Sequence, residues 1–125
     1  MKRLMFSLML AAGIATPALA HHSFAIFDQT KVLYHTGTVK QFEWINPHAW
    51  LHVDIVDAAG KSASWSFEGG ATGQLTALGW KPDSVKPGDT VQVGYRPMKD
   101  GSRGGQIMNV TFPNGQKVCS NRGCS

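Results

Sequence analysis

The sequence predicts one small, mainly β domain that closes into a barrel, and three observations lead to this prediction. Five segments alternate apolar and polar residues with the two-residue period of β-strands. Turn signals rich in Gly, Pro, Asn and Asp separate these segments, and only residues 72–78 have convincing helical spacing. Three strands, one short helix and two further strands, in that order, are typical of an OB-like Greek-key barrel. An open β-sandwich of similar size is the alternative.

The first 20 residues have the pattern of a cleaved secretory signal. Two basic residues follow Met1, residues 4–14 form an apolar run, and a small-residue cleavage site ends at Ala20. The apolar run is too short to span a bilayer, and no second such run follows it. We therefore expect a periplasmic protein without a membrane anchor, whose mature chain begins at His21.

The mature chain has room for a single domain over residues 21–118, followed by a tail over residues 119–125. Two of the 12 basic residues belong to the signal, so 10 basic residues stand against 8 acidic ones in the mature chain. The basic residues are scattered singly, which is typical of a solvated surface. This near-neutral balance and the export signal argue against a nucleic acid partner.

Both cysteines, Cys119 and Cys124, lie in the tail. Exported chains meet an oxidising compartment, so we expect a disulfide between them. Because it closes a very short loop, this bridge is expected to secure the tail and to stabilise the fold little. A thiol metal site or a redox pair is the alternative, although the spacing is not Cys-x-x-Cys.

The alternation also assigns a core-facing set of residues to each strand. The strands are predicted at residues 32–45, 50–55, 62–68, 91–95 and 107–112, with a short extension at 116–118 after the Asn114-Gly115 turn. The core-facing residues after the first strand are predicted to be Leu51, Val53 and Ile55, then Ala63, Trp65 and Phe67, then Val91, Val93 and Tyr95, and finally Met108, Val110 and Phe112. In the first strand the apolar face changes between Val39 and Phe42, which predicts a β-bulge.

The predicted helix lies between the third and fourth strands. Thr72 is expected to cap its first turn, and Leu75 and Leu78 form its apolar stripe. Gly79 is expected to end the helix, with Trp80 packed behind it.

A bend interrupts the aromatic-rich segment 42–52, and it is the feature that most clearly indicates a site. Pro47 lacks an N–H and has a fixed φ, so neither a helix nor a central strand continues through it. Asn46 before it favours a turn. The bend is therefore expected to place His48 at the mouth of the sheet, where polar groups are exposed.

Several short motifs resemble those of a known family. They are His-His-Ser-Phe at the mature N-terminus, Glu43-Trp44-x-Asn46-Pro47-His48, Trp65-x-Phe67-Glu68-Gly69-Gly70, Gly79-Trp80, Lys86-Pro87-Gly88-Asp89 and Lys99-Asp100-Gly101. This set is similar to that of small exported proteins of Gram-negative bacteria that are catalogued as a domain of unknown function. The resemblance implies a periplasmic, single-domain β-barrel and carries no established activity.

A copper site is one functional hypothesis. If cleavage follows Ala20, the new α-amine and the imidazole of His21 can chelate one ion, and His22 or His48 could supply another imidazole. Such nitrogen ligands suit Cu(II), and the arrangement resembles the histidine brace of copper-dependent polysaccharide monooxygenases. The alternatives are an unanchored terminus that binds metal only adventitiously and a His48 that hydrogen-bonds a turn carbonyl.

A small-ligand site is the other hypothesis. Trp50 points away from the core face and is the best candidate for an exposed aromatic platform, with His48, Trp44 and Glu68 as further ligand-binding candidates. The alternative role for Glu68 is to face the positive end of the helix dipole.

The remaining polar residues indicate no catalytic centre. His35 and His52 are expected on the outward face, and Ser23, Ser64 and Ser66 have no acid–base partner at a recognisable spacing. We therefore expect a non-enzymatic periplasmic binding or accessory protein for an unknown small ligand or partner, with copper binding as the alternative.

Overall fold

A computed structural model describes residues 24–122 and residue 124. The predicted signal and the histidines at positions 21 and 22 lie outside the described residues. Within these described residues the first element is a 3-10 helix, and six strands and one α-helix follow it. The 3-10 helix spans Phe24–Ile26, the strands are β1 (Leu33–Glu43), β2 (Trp50–Val56), β3 (Ser62–Glu68), β4 (Thr90–Pro97), β5 (Gly104–Thr111) and β6 (Lys117–Cys119), and helix α1 spans Thr72–Ala77.

The strands form a closed barrel, as predicted. Their order is β3-β2-β1-β4-β5-β6, and a parallel pairing of β3 with β5 joins the two sides of the sheet. The other neighbouring strands pair antiparallel. Five strands with a helix between β3 and β4 match the predicted OB-like architecture. The short β6 is an added edge strand, and it ends one residue beyond the predicted extension.

Two bulges adjust which residues face the interior. The predicted bulge in β1 lies between Val39 and Gln41 in the pairing with β2. A second irregularity lies between Gly94 and Tyr95 in the pairing of β4 with β5. The prediction that Met108 faces the core is therefore wrong, because Tyr95 pairs with Ile107 and leaves Met108 as the extra residue of β5. Ile107 is buried in its place.

The core fills the barrel with the side chains that the alternation predicts. Leu51, Val53, Phe67 and Val93 are fully buried. Each such side chain is worth about 1.5–3 kcal/mol of hydrophobic transfer free energy. Trp80, which follows α1, is buried in the core, and its indole N–H donates to the carbonyl of Cys119 at 2.8 Å.

Asn46 caps helix α1, which begins at Thr72. The Oδ1 atom of Asn46 accepts hydrogen bonds from the backbone N–H and the hydroxyl of Thr72, each at 3.0 Å. The prediction that Thr72 is itself the cap is therefore wrong, because Ala71 occupies the N-cap position. Glu68 lines a cavity together with Gly70 and the helix residue Gln74, and the hydrogen-bonded cap of the helix is Asn46.

The helix ends where the sequence predicts a glycine stop. Gly79 has a φ of +93°, its N–H donates to the carbonyl of Thr76, and the N–H of Trp80 donates to that of Leu75. These two bonds form a Schellman motif, which satisfies carbonyls that the last turn leaves unpaired.

Close contact between β3 and β5 requires glycine on β5. A Cβ atom on Gly104 would lie 2.1 Å from the carbonyl oxygen of Ser66, and one on Gly105 would lie 2.2 Å from that of Arg96. The strand β3 closes on β5 at Gly104, and β4 approaches β5 at Gly105, because neither position carries a side chain.

Both ends of the described chain are attached to the barrel. Phe27 is buried and forms a bridge with Met98. At the other end Cys119 and Cys124 form the predicted disulfide, with their Sγ atoms 2.09 Å apart. None of the helices in the described part of the chain has the length and apolar character needed to cross a bilayer.

Candidate functional site

The candidate site is a cavity of about 220 Å³ beside the buried carboxyl group of Glu68, which we call the Glu68 cavity. It lies where β3 ends while β5 continues toward its pairing with β6. The last β3–β5 pair is Glu68 with Gln106, and the first β5–β6 pair is Asn109 with Cys119. The wall of the barrel is therefore open between these two pairs. The lining residues are His48, Glu68, Gly69, Gly70, Gln74, Arg96, Gln106, Ile107, Met108, Ser120 and Asn121.

The bend places His48 against this carboxylate. The Nδ1 atom of His48 lies 3.1 Å from Oε1 of Glu68 and 3.3 Å from the carbonyl oxygen of Gly69. The peptide of Ala49 is paired with this segment, because its N–H donates to Gly70 and its carbonyl accepts from Gly69. The carbonyl at 3.3 Å can only accept, so Nδ1 carries the proton and Nε2 is the nitrogen available to a ligand.

Burial perturbs the carboxylate of Glu68. Glu68 is only 8% exposed to solvent. Loss of hydration raises the pKa of Glu68 above its ordinary value, and the charge of His48 partly opposes this shift. A carboxyl group that holds its proton unusually tightly, facing a cavity, is a feature of functional sites.

Two further polar side chains face the cavity from paired positions on β4 and β5. Arg96 and Gln106 are register partners, and both line the cavity. The Nε atom of Arg96 and the Oε1 atom of Gln106 are buried and have no hydrogen-bond partner among the described residues. The Nη1 atom of Arg96 donates to Oε1 of Gln29. The cavity thus combines a cation, an amide, an imidazole and a carboxyl group.

Glu68 also lines a second cavity of about 150 Å³, which we call the Ser66 cavity. Trp50 lines it and is the register partner of Glu68. Its other lining residues are Ile26, Phe27, Ser66, Met98, Ser102, Arg103, Gly104 and Gly105.

The structure therefore gathers three of the four predicted ligand-binding residues around one point. His48 contacts Glu68 in the Glu68 cavity, and Trp50 is the register partner of Glu68 and lines the Ser66 cavity with it. Trp44 is elsewhere: it packs against the core, with its ring 5.8 Å from that of Phe42. Its aromatic side chain has a packing role that the sequence pattern did not distinguish from a binding role.

The predicted copper ligands are not assembled within the described residues. Of the three candidates, only His48 is described, since His21 and His22 lie outside that range. Residues 24–122 and 124 contain no group of three or more His, Cys, Asp or Glu side chains that could hold a metal ion.

The expectation that His35 faces outward is wrong. It pairs with the core residue Val93, and its Nδ1 atom lies 2.7 Å from the hydroxyl of the buried Tyr95. Its ring centroid is 4.9 Å from that of Trp65. The signal was present, because His35 has the same strand parity as the buried Val39.

The outward face holds a constellation that sequence reasoning missed. His52 faces outward, as expected, but its Nδ1 atom lies 2.9 Å from the hydroxyl oxygen of Ser66. Its Nε2 atom lies 3.6 Å from Oε2 of Glu43. The spacing of residues along the chain does not indicate this partner for Ser66. Three neighbouring strands supply the group, so only the sheet register could have indicated it.

Comparison with known proteins gives a family and no more. A family model described as a family of unknown function (DUF6152) matches residues 9–108. No curated protein and no solved structure matches the chain.

Proposed function

The chain belongs to DUF6152, a family of unknown function, and we propose that it is a periplasmic binding protein that holds a small polar ligand in the Glu68 cavity. The observation that carries this proposal is the buried carboxyl group of Glu68 facing a cavity. A pocket with a few convergent polar groups and a perturbed pKa is the default position for a binding site.

The chemistry of the cavity selects the ligand class. Arg96 supplies an N–H donor, Gln106 an amide oxygen, and His48 an imidazole nitrogen. A ligand with both hydrogen-bond donors and acceptors would match these groups. A volume of about 220 Å³ is below the usual range for drug-sized ligands, so the ligand is a small metabolite.

Binding fits this cavity better than catalysis does. The one hydroxyl among the lining side chains belongs to Ser120, and its Oγ atom donates to the carbonyls of Ile107 and Met108. That hydroxyl is turned to the backbone of β5, so the cavity offers a ligand polar contacts without an activated nucleophile.

A thermal-shift screen of the mature protein tests the proposal, with small amino acids, carboxylic acids, amines and amides as probes. A ligand present at a hundred times its Kd stabilises the fold by about 2.7 kcal/mol, which is readily measured. We expect at least one class to raise Tm, and we expect Glu68→Gln and His48→Ala to abolish the shift. Asp83→Asn, an exposed carboxylate outside the cavity, is the matched control and should keep it. No shift with any class, or an equal shift in Glu68→Gln, contradicts the proposal.

Copper binding is the second candidate function, and one observation favours it. Ile26 lines the Ser66 cavity beside Glu68, and it is four positions after His22. Four extended residues span at most about 14 Å, so the length of the chain permits the imidazole of His22 to approach this carboxyl group.

Titration with Cu(II) distinguishes the two candidates. Copper affinity should fall when one extra residue precedes His21 and when His48 is replaced by Ala. Equal affinities in the three proteins contradict a copper site of this kind. Sequencing the N-terminus of the protein from a periplasmic fraction checks the export proposal at the same time, because it should begin at His21.

A further inference from the structure

We propose that Ser66, His52 and Glu43 form a second, chemically active site, in which Ser66 attacks small carboxylic esters. The three residues lie on the adjacent strands β3, β2 and β1. Ser66 and His52 are direct register partners, and Glu43 lies at the end of β1 beside the bend. This inference does not depend on the binding function proposed for the Glu68 cavity.

The distances match a nucleophile, a base and an orienting carboxylate. The imidazole Nδ1 of His52 is 2.9 Å from the Oγ atom of Ser66, within hydrogen-bond range. Its Nε2 is 3.6 Å from Oε2 of Glu43. The second distance is slightly long for a hydrogen bond, as is common for catalytic groups before substrate binds.

The carboxylate determines which nitrogen acts as the base. A carboxylate facing Nε2 favours the tautomer that carries its proton there, which leaves the lone pair of Nδ1 toward the hydroxyl of Ser66. Serine hydrolases on unrelated folds use the same three roles, and geometry rather than chain order defines them. His52 and Glu43 retain 26% and 33% side-chain exposure, so water can enter the site.

Ser66 also lines a cavity that can accept an acyl group. Phe27, Trp50 and Met98 give the Ser66 cavity apolar walls, and Arg103 adds a cationic side chain that can stabilise a developing oxyanion. At about 30 Å³ per water-sized group, a cavity of about 150 Å³ accommodates a short acyl chain.

The reaction balances with water as the only co-substrate. The hydroxyl oxygen of Ser66 bonds to the ester carbonyl carbon while its proton moves to Nδ1 of His52. The bond to the alcohol oxygen breaks, and that oxygen takes the proton from His52. Water then attacks the acyl carbon and gives a proton to His52, which returns it to Ser66 as the carboxylic acid leaves. Ser66 and His52 are the catalytic residues, and Glu43 is a positioning residue.

A fluorophosphonate probe tests the nucleophile on the wild-type protein. The oxygen of Ser66 should displace fluoride and form a P–O bond, and peptide mass spectrometry should locate the adduct on Ser66. Ser66→Ala should lose labelling, whereas Ser64→Ala should retain it, since Ser64 is an exposed serine on the same strand outside the cavity. No adduct on the folded wild-type protein, or an adduct located elsewhere, overturns the proposal regardless of how the variants fold.

Hydrolysis of p-nitrophenyl acetate tests the other two residues. We expect Ser66→Ala and His52→Ala to lower the rate about 100-fold or more at an unchanged melting temperature. Glu43→Gln should lower the rate at an unchanged melting temperature, because its carboxylate lies 3.6 Å from Nε2 of His52 and orients the imidazole toward Ser66. Glu43→Asp should restore part of the rate. A wild-type rate equal to that of Ser66→Ala overturns the proposal.

Discussion

Replacing Asn46 by Ala is expected to lower the free energy of unfolding by about 1 kcal/mol. The Oδ1 atom of Asn46 accepts two hydrogen bonds from Thr72, each at 3.0 Å. A typical hydrogen bond contributes about 0.5–1.5 kcal/mol, and a lost helix cap costs about 0.5–2 kcal/mol. Both residues are partly accessible, so water re-solvates the Thr72 groups and the loss falls near the middle of these ranges.

Urea denaturation followed by tryptophan fluorescence measures this loss. In a thermal scan the same loss corresponds to a fall in Tm of about 4–8 °C for a domain of this size. Asn46→Asp keeps an acceptor oxygen and places a negative charge at the helix N-terminus, so it should unfold near the wild-type midpoint. The cap argument is refuted if Asn46→Ala unfolds like the wild type, or if Asn46→Asp loses as much stability as Asn46→Ala.

The same substitution has a consequence for the candidate site. Asn46 joins the bend to α1 two residues before His48. Without this link the bend keeps the two backbone bonds of Ala49 and the contacts of His48 with Glu68 and Gly69. We expect faster amide hydrogen exchange at Ala49 in Asn46→Ala, together with weaker ligand-induced stabilisation.

Three other predictions follow from packing, burial and hydrogen bonding. Gly104→Ala should lower the free energy of unfolding by about 3 kcal/mol in urea denaturation, because the new Cβ atom would lie 2.1 Å from the backbone oxygen of Ser66. Gly73→Ala should raise the free energy of unfolding by about 0.5–1 kcal/mol in the same assay, because no atom lies within 4 Å of the new Cβ atom. Burial raises the pKa of Glu68 above 4.5, so the folded state loses stability as pH rises from 4.5 through the folded pKa. Glu68→Gln should therefore gain stability relative to the wild type at pH 7 and not at pH 4, and an equal difference at both pH values would contradict this. Trp80→Phe removes the indole N–H that donates to the carbonyl of Cys119 in β6. We expect this to lower the free energy of unfolding by about 2 kcal/mol and to lower Tm in calorimetry. An unchanged Tm would contradict the role of that hydrogen bond.

The strands show how far sequence patterns extend. The bounds of β3 agree with the prediction, and those of β2 differ by one residue, because strict alternation is a local signal. The bulge after Val39 was predictable from its change of parity with Phe42. The orientation of Met108 was not predictable from the sequence, because the bulge that changes it arises from the pairing of β5 with β4. The inward orientation of His35 agrees with the parity that it shares with Val39 and runs against the general preference of polar side chains for the surface.

The candidate site was predictable only in part. The bend and its histidine follow from Asn46 and Pro47, whose backbone preferences act within a few residues. The partner of His48 could not be predicted in this way, because Glu68 is twenty positions further along the chain. The pairing of β2 with β3 brings Glu68 to His48. The same pairing brings Ser66 to His52.

The amino-acid sequence by itself determined the strand segments, the turns, the single helix and the disulfide, because each depends on residues that are close together in the chain. The tertiary structure alone decided which polar groups meet. Closure of β3 on β5 buried Glu68 and set Arg96 and Gln106 around it, and strand register aligned Ser66, His52 and Glu43. Register and closure depend on packing between residues that are far apart in the chain, and the local alternation of apolar and polar residues does not specify that packing.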